Sequence, residues 1–171
     1  MPRYAEFADA AGRHYVEHDM PEDLAYKHPI RSYGEPRRLS VYDPSDTTKR
    51  RIDAKSGLIN DPEKGEPGLV GHADFYREPE RPSGVSFISK DEHGNEVRTP
   101  GKSIADVNIG YMSVAGSHRG GGIGRQMFDY MHKTTPKGSV LNVGQAAHDA
   151  TEHMARKAQE EKPGTIHWKL F

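Results

Sequence analysis

Between Val114 and Arg125 the chain reads V-A-G-S-H-R-G-G-G-I-G-R, and no other stretch limits the possible folds as much. Gly116, Gly120, Gly121 and Gly122 crowd one turn, and Gly124 follows just past it. Glycine loses more conformational freedom on folding than any other residue. A cluster this dense marks backbone that must turn tightly or let something approach closely. Upstream, Ile104 to Val114 alternates as a long strand, with Ile104, Asp106, Asn108, Gly110, Met112 and Val114 expected on one face. Downstream, Ile123, Met127, Phe128 and Met131 form one stripe of a helix predicted over Ile123 to Lys133 and stopped by Pro136. A glycine turn leading from a strand into a helix is a cradle for an anion. Its N–H groups point inward, and the helix N-terminus adds partial positive charge. Arg119 and Arg125 flank the turn as candidate ligands of phosphate oxygens.

Several phosphate-binding patterns fail here. A P-loop needs Lys and then Ser or Thr after its last glycine, but Ile123 follows Gly122. The dinucleotide fingerprint starting at Gly120 needs glycine where Arg125 stands, and the frames from Gly122 and Gly124 fail as well. Gly121 to Gly124 spells a KH-type G-x-x-G, without basic residues inside it. The pattern that fits is R-x-x-G-x-G, met by Arg119, Gly122 and Gly124, with Val114 five residues before the arginine. In this the chain resembles motif A of the GNAT superfamily of acetyl-CoA-dependent N-acetyltransferases. The likeness runs from Ile104 to the C-terminus, because a strand at Ser139 to Val143 and a helix at Ala146 to Gln159 follow in the family's order. Leu69 to Tyr76 is similar to an upstream strand of the family; residues before it carry no such resemblance.

The resemblance implies an α/β fold, a twisted mixed β-sheet with helices packed on both faces, and acetyl-CoA as co-substrate. It implies that the backbone at Met112 and Val114 pairs with the pantetheine arm. The pyrophosphate would be held by Arg119, Gly120, Gly121, Gly122, Ile123, Gly124 and Arg125. The acceptor would be a small-molecule or peptide amine, and a homodimer is reasonable. The catalytic positions depart from the pattern. Asn108 stands where some members carry a glutamate base, so Asp106 is the carboxylate candidate, with His72 and Asp74 on the neighbouring strand as alternatives. Ala155 stands where a tyrosine acid is common, which leaves His148 or His153 for that role. A non-catalytic binding or structural module of the same fold is the competing expectation.

The rest of the chain bounds the answer more loosely. Its 171 residues suggest one domain over 1–171, with N-terminal helices and acceptor-side loops in 1–68 and the sheet and cofactor core in 69–171. A hydrophobic share of 33% and a mean hydropathy of -0.87 leave material for a small core only. With no cysteine, disulfides, cysteine-ligated metal and thiol catalysis are excluded. A net charge of -1 gives no general pull toward nucleic acid or anionic membrane. The charge-interrupted N-terminus lacks an apolar signal core, and no run reaches the roughly 18 apolar residues of a membrane span, so the reading is cytoplasmic.

Arg3 to His18 is expected to be an amphipathic helix with Phe7, Ala11 and Tyr15 on its stripe, and Pro21, Glu22 and Asp23 to open a second. On such a helix His14, Glu17 and His18 would match the H-x-x-E-H zinc spacing, although a solvated face is the expectation and no metal is assigned. Arg38 to Tyr42 reads as a strand, and Gly84 to Ser89 with Glu96 to Arg98 as a hairpin.

Overall fold

Phe7 and Tyr15 stack their rings at 4.7 Å across a hairpin, where a helix had been expected. β1 (Arg3–Ala8) and β2 (His14–Asp19) pair antiparallel around a turn in which Gly12 takes a φ of 79°. Asp9 ties that turn by accepting hydrogen bonds from the Ala11 and Arg13 amides at 3.0 and 3.1 Å. The computed structural model describes residues 2–22, 24, 34–144 and 149–168. The expected second helix falls mostly outside them.

After the hairpin come β3 (Glu35–Tyr42), β4 (Lys49–Ile52), β5 (Ile59–Asn60), β6 (Glu66–Pro67) and β7 (Leu69–Arg77). The hairpin β8 (Ser86–Lys90) and β9 (Glu96–Pro100) precedes the long β10 (Val107–Val114). A 3-10 turn at Gly116–His118 leads to α1 (Ile123–Lys133), then β11 (Leu141–Val143), α2 (Asp149–Glu161) and β12 (Ile166–Trp168). Seven strands form one mixed sheet in the order β1-β2-β3-β7-β10-β11-β12; β4, β5 and β6 form a small sheet of their own. The sheet therefore starts at Arg3, not at Leu69, and Arg3–Ala8 with His14–Asp19 are strands where one helix was expected.

Pairing is antiparallel from β1 through β10 and parallel from β10 to β11 to β12. Parallel neighbours need a crossover, and right-handed crossovers stepping the same way along a sheet put their helices on one face. Ala155 and Ala158 of α2 accordingly join Ile123, Met127, Phe128 and Met131 of α1 in a single buried cluster over Leu39, Val41, Phe75, Val107 and Leu141. The mixed α/β sheet stands as expected, with both described helices feeding this one cluster. The stripe read from α1 is the stripe it buries. At about 1.5–3 kcal/mol for each large apolar side chain, those four residues anchor the helix. Among the described residues no helix is long and apolar enough to cross a membrane.

β10 does not keep the simple alternation expected of it. Ile109 pairs with Phe75 and Tyr111 with Asp74, so Gly110 is the extra residue of a β-bulge. A Cβ there would lie 3.1 Å from the Asp74 carbonyl oxygen and from the Tyr76 ring. The bulge resets the faces. Met112 and Val114 pair with Ala73 and Gly71 and share the helix face with Val107 and Ile109, whereas Asn108, Tyr111 and Ser113 line the opposite, polar face.

Candidate active site

β10 and β11 run side by side only at Val107–Leu141 and Asn108–Asn142. From Ile109 to Val114, β10 keeps its pairing with β7 but has no ladder partner on the β11 side among the described residues. A bulge bends its strand and increases local twist, and Gly110 sits where the parallel ladder ends. Backbone groups on an open edge need partners, so this wedge is built to receive something that donates and accepts hydrogen bonds.

The glycine turn closes the far end of the wedge. Gly120 and Gly122 take φ values of 79° and 85°, angles that a side chain strains, and Gly122 is the N-cap of α1. No side chain caps that helix and no acidic residue stands in its first turn, so its leading N–H groups face outward unclaimed by side chains. One ligand candidate was missed in the sequence. The Arg13 guanidinium hangs over the turn, where a Cβ on Gly121 would meet its Nη1 at 3.1 Å. Arg13 Nε donates to Asp9 Oδ2 at 2.6 Å, and the same oxygen accepts the Tyr15 hydroxyl at 2.8 Å. Burial raises the Asp9 carboxyl, but the Tyr15 and Arg13 hydrogen bonds outweigh it and hold the group below its ordinary value. Nothing local in the sequence links Arg13 to a turn so far down the chain; only the hairpin brings it there. Arg119 folds back, with its Nε 3.4 Å from the Val114 carbonyl oxygen, and Arg125 is exposed with Asp129 at 3.7 Å. His118 braces the turn between Ser117 and Asp43, at 2.9 and 3.1 Å.

The candidate catalytic groups are placed as follows. Asn108 is buried, and its Oδ1 accepts from Asn142 Nδ2 at 2.9 Å; Asn142 Oδ1 in turn lies 3.0 Å from His167 Nδ1. This polar ladder crosses β10, β11 and β12 at the mouth of the wedge. Asp106 precedes β10, on the far side of Asn108 from the wedge. Its Oδ1 accepts the Val140 amide at 2.9 Å, and Oδ2 lies 3.4 Å from Arg81, so it splices the start of β10 to the start of β11.

His72 is fully buried, with Nε2 2.7 Å from the Gly57 carbonyl oxygen and Nδ1 3.3 Å from Asp74. Both ring nitrogens thus face acceptors, which leaves no lone pair aimed at a substrate. Arg38 grips Asp74 through two bonds at 2.7 and 3.0 Å. Burial opposes the Asp74 charge, but hydrogen bonds from His72 and Arg38 overcome it and hold the carboxyl far below the usual range. As built, His72 and Asp74 are a buried brace under Tyr111, whose ring lies 5.8 Å from that of His72. His148 lies outside the described residues; His153 is exposed on α2, and Ala155 is buried.

On the same polar face, β2 and β3 floor a cleft of about 1040 Å³ that Arg51, Ile52, Gly65 and Glu66 wall from above. His18 and Ser40 meet in its floor at 2.8 Å. His18 Nδ1 lies 2.8 Å from the Asp19 carbonyl oxygen, and burial lowers the His18 pKa from its ordinary value. The H-x-x-E-H spacing makes no metal site here. On a strand, Glu17 points to the opposite face from His14 and His18.

No protein-family model matches this sequence, and a search of curated proteins finds no match. Among solved structures, the xEco2 acetyltransferase domain bound to a CoA conjugate aligns over 93% of this chain and 93% of its own, with 12% identity and a TM-score of 0.45. At that level of likeness, the chain's own geometry has to carry any functional reading.

Proposed function

We propose that this protein is a GNAT-type acyltransferase that moves an acetyl group from acetyl-CoA to a primary amine. One observation carries the reading: the β10–β11 ladder stops at Asn108–Asn142, and the open side of the wedge ends on the Arg119–Gly124 turn. An extended amide-bearing arm fits the edge of β10 at Met112 and Val114, which no described strand pairs on the β11 side and where Arg119 Nε would have to release the Val114 carbonyl oxygen; the two side chains are occupied with the helix face. A pyrophosphate fits the end of that edge. There Gly120 to Gly124 and the uncapped helix N-terminus offer N–H groups, with Arg13, Arg119 and Arg125 around them. The fit depends on missing side chains, because a Cβ on Gly121 would crowd Arg13 and the His118 carbonyl oxygen, at 3.1 and 3.2 Å.

In the reaction, the amine nitrogen attacks the thioester carbonyl carbon, a C–N bond forms and the C–S bond breaks. The ammonium proton must leave beforehand, and the departing thiolate takes one up. Asp106, Asp74 and His72 are each committed to protein partners, so in this proposal no side chain among them takes the first proton, which passes directly to solvent. The acceptor enters on the polar face, by way of the cleft over β2 and β3. A non-catalytic module is the second reading, and the amide at position 108 is what favours it.

Calorimetric titration with acetyl-CoA, CoA and an ATP control tests the proposal. Acetyl-CoA and CoA are expected to bind and ATP not to. Gly122→Asp, which puts a negative charge into the turn, should abolish that binding while the fold persists. Failure of acetyl-CoA to bind the wild-type chain would overturn the assignment. Binding without turnover across an amine panel would favour the module.

A further inference from the structure

We infer, on the acetyl-CoA reading above, that His167 of β12 faces the sulfur of the bound thioester and gives a proton to the departing thiolate. Strand register places it there. Val107, Leu141 and Ile166 form one row across β10, β11 and β12, and Asn108, Asn142 and His167 form the next. The first row is buried in the cluster under the helices. Successive residues of a strand point to opposite faces, so the second row stands on the polar face, where the acceptor is proposed to enter.

That second row is also the last one β10 and β11 share, at the apex of the wedge. With the pyrophosphate at the Val114 end of β10, the thioester end of the arm points back along the strand toward this apex. His167 stands one strand beyond β11, about 4.8 Å across the sheet.

The hydrogen bonds determine which ring nitrogen is available. Asn142 Nδ2 donates to Asn108 Oδ1 at 2.9 Å, so it is the Asn142 carbonyl oxygen that lies 3.0 Å from His167 Nδ1. That oxygen can only accept, and Nδ1 therefore carries a proton. Nε2 has no protein partner among the described residues, and the residue is exposed, so this nitrogen exchanges protons with solvent. The Nδ1–H bond holds the ring in the same place before and after Nε2 gives up its proton. His72 and His118 instead have both ring nitrogens near protein partners. His153 rides on a helix of the opposite face, and His14 and His18 stand on β2, three strands from β10.

In the step, the electron pair of the breaking C–S bond passes to sulfur as the amine nitrogen completes its bond to carbon. The Nε2 proton of the imidazolium is transferred to that sulfur, which leaves CoA as the thiol and a neutral ring that solvent recharges. A cation at this place also stabilises the thiolate, as a protonated histidine does for a neighbouring cysteine.

The chain contains no cysteine, so in a complex with CoA the ligand carries the only thiol. Its ionisation is followed against pH by ultraviolet thiolate absorbance at saturating protein, with the free protein as blank, and needs no acceptor amine. Bound CoA should reach half-ionisation at least about one pH unit below free CoA, and His167→Asn should return it to the free value. Asparagine keeps an N–H toward Asn142 Oδ1 and removes only the group at Nε2, so CoA affinity and Tm should hold. His93→Asn, on the exposed β8–β9 turn, should leave the thiol as in the wild type. With an amine that turns over, His167→Asn should lose about 10²-fold in kcat at unchanged KM for acetyl-CoA. A bound thiol that ionises like the free one, or a lowered value that persists in His167→Asn, would overturn the role of His167 while leaving acetyl-CoA binding in place. Failure of CoA to bind the wild-type chain would remove the acetyl-CoA reading itself, and the role of His167 with it.

Discussion

The Tyr130 hydroxyl donates to Glu17 Oε1 at 2.6 Å, tying the last turns of α1 to a strand near the opposite end of the chain. Arg77 and Arg37 reach the same carboxylate, which is 1% exposed, at 2.5 and 2.7 Å. Burial by itself would raise the Glu17 carboxyl. The Arg77 and Tyr130 hydrogen bonds, with the Arg77 charge, outweigh it and leave the group below its ordinary value of 4.5. Glu17→Gln leaves Arg77 without its carboxylate and Arg37 with only the exposed Glu35, at 3.1 Å, and should cost about 3 kcal/mol in denaturant unfolding. The sign with pH follows from the lowered value. The contribution is complete above 4.5 and is lost as pH falls from there through the depressed folded-state value. The wild-type chain should therefore lose stability faster than Glu17→Gln on acidification over that range; parallel curves would show that Glu17 is not a stabilising charge.

Asp106 separates a structural from a catalytic carboxylate. Asparagine there keeps an acceptor for the Val140 amide, whereas alanine removes it. Asp106→Ala should lose about 1–3 kcal/mol, the cost of an unmet backbone donor, and Asp106→Asn much less. Under the proposed chemistry, neither change should alter the rise of kcat/KM with pH, which follows the acceptor amine's own titration. A fall of about 10²-fold or more in kcat for Asp106→Asn, with binding intact, would make Asp106 the base after all.

What could be read from the sequence follows the range of the interactions involved. α1 and its buried stripe are a local pattern, and Ile123, Met127, Phe128 and Met131 are buried as read. The glycine turn was legible for the same reason. The N-terminal hairpin was not, because Phe7 and Tyr15 stand eight positions apart. That spacing suits a helical stripe and, equally, a cross-strand pair around a short turn. The facing of β10 was lost at one residue. Gly110 reads as one more member of the alternation, and only pairing with β7 shows it to be a bulge that sends Met112 and Asn108 to opposite faces. Arg13 needed both the hairpin and the turn in place before it had any meaning. The engagement of Asp74 and His72 likewise depends on Arg38 and Gly57, brought in from other elements.

Gly124 allows binding and stability to be moved in opposite directions. It lies in the first turn of α1 without a left-handed angle, and a Cβ added there would meet nothing within 4 Å. Alanine at such a helix position is better than glycine by about 0.5–1 kcal/mol, so Gly124→Ala should stabilise the protein and raise Tm by roughly 2–4 °C. The same methyl group would project into the space where the pyrophosphate is proposed to sit, and should weaken acetyl-CoA binding about tenfold, or roughly 1.4 kcal/mol. Gain in Tm and loss of affinity, measured on one preparation, cannot both come from general damage to the fold. A Tm gain with unchanged affinity would place the ligand away from the leading turn of α1, and the wedge would then need another occupant.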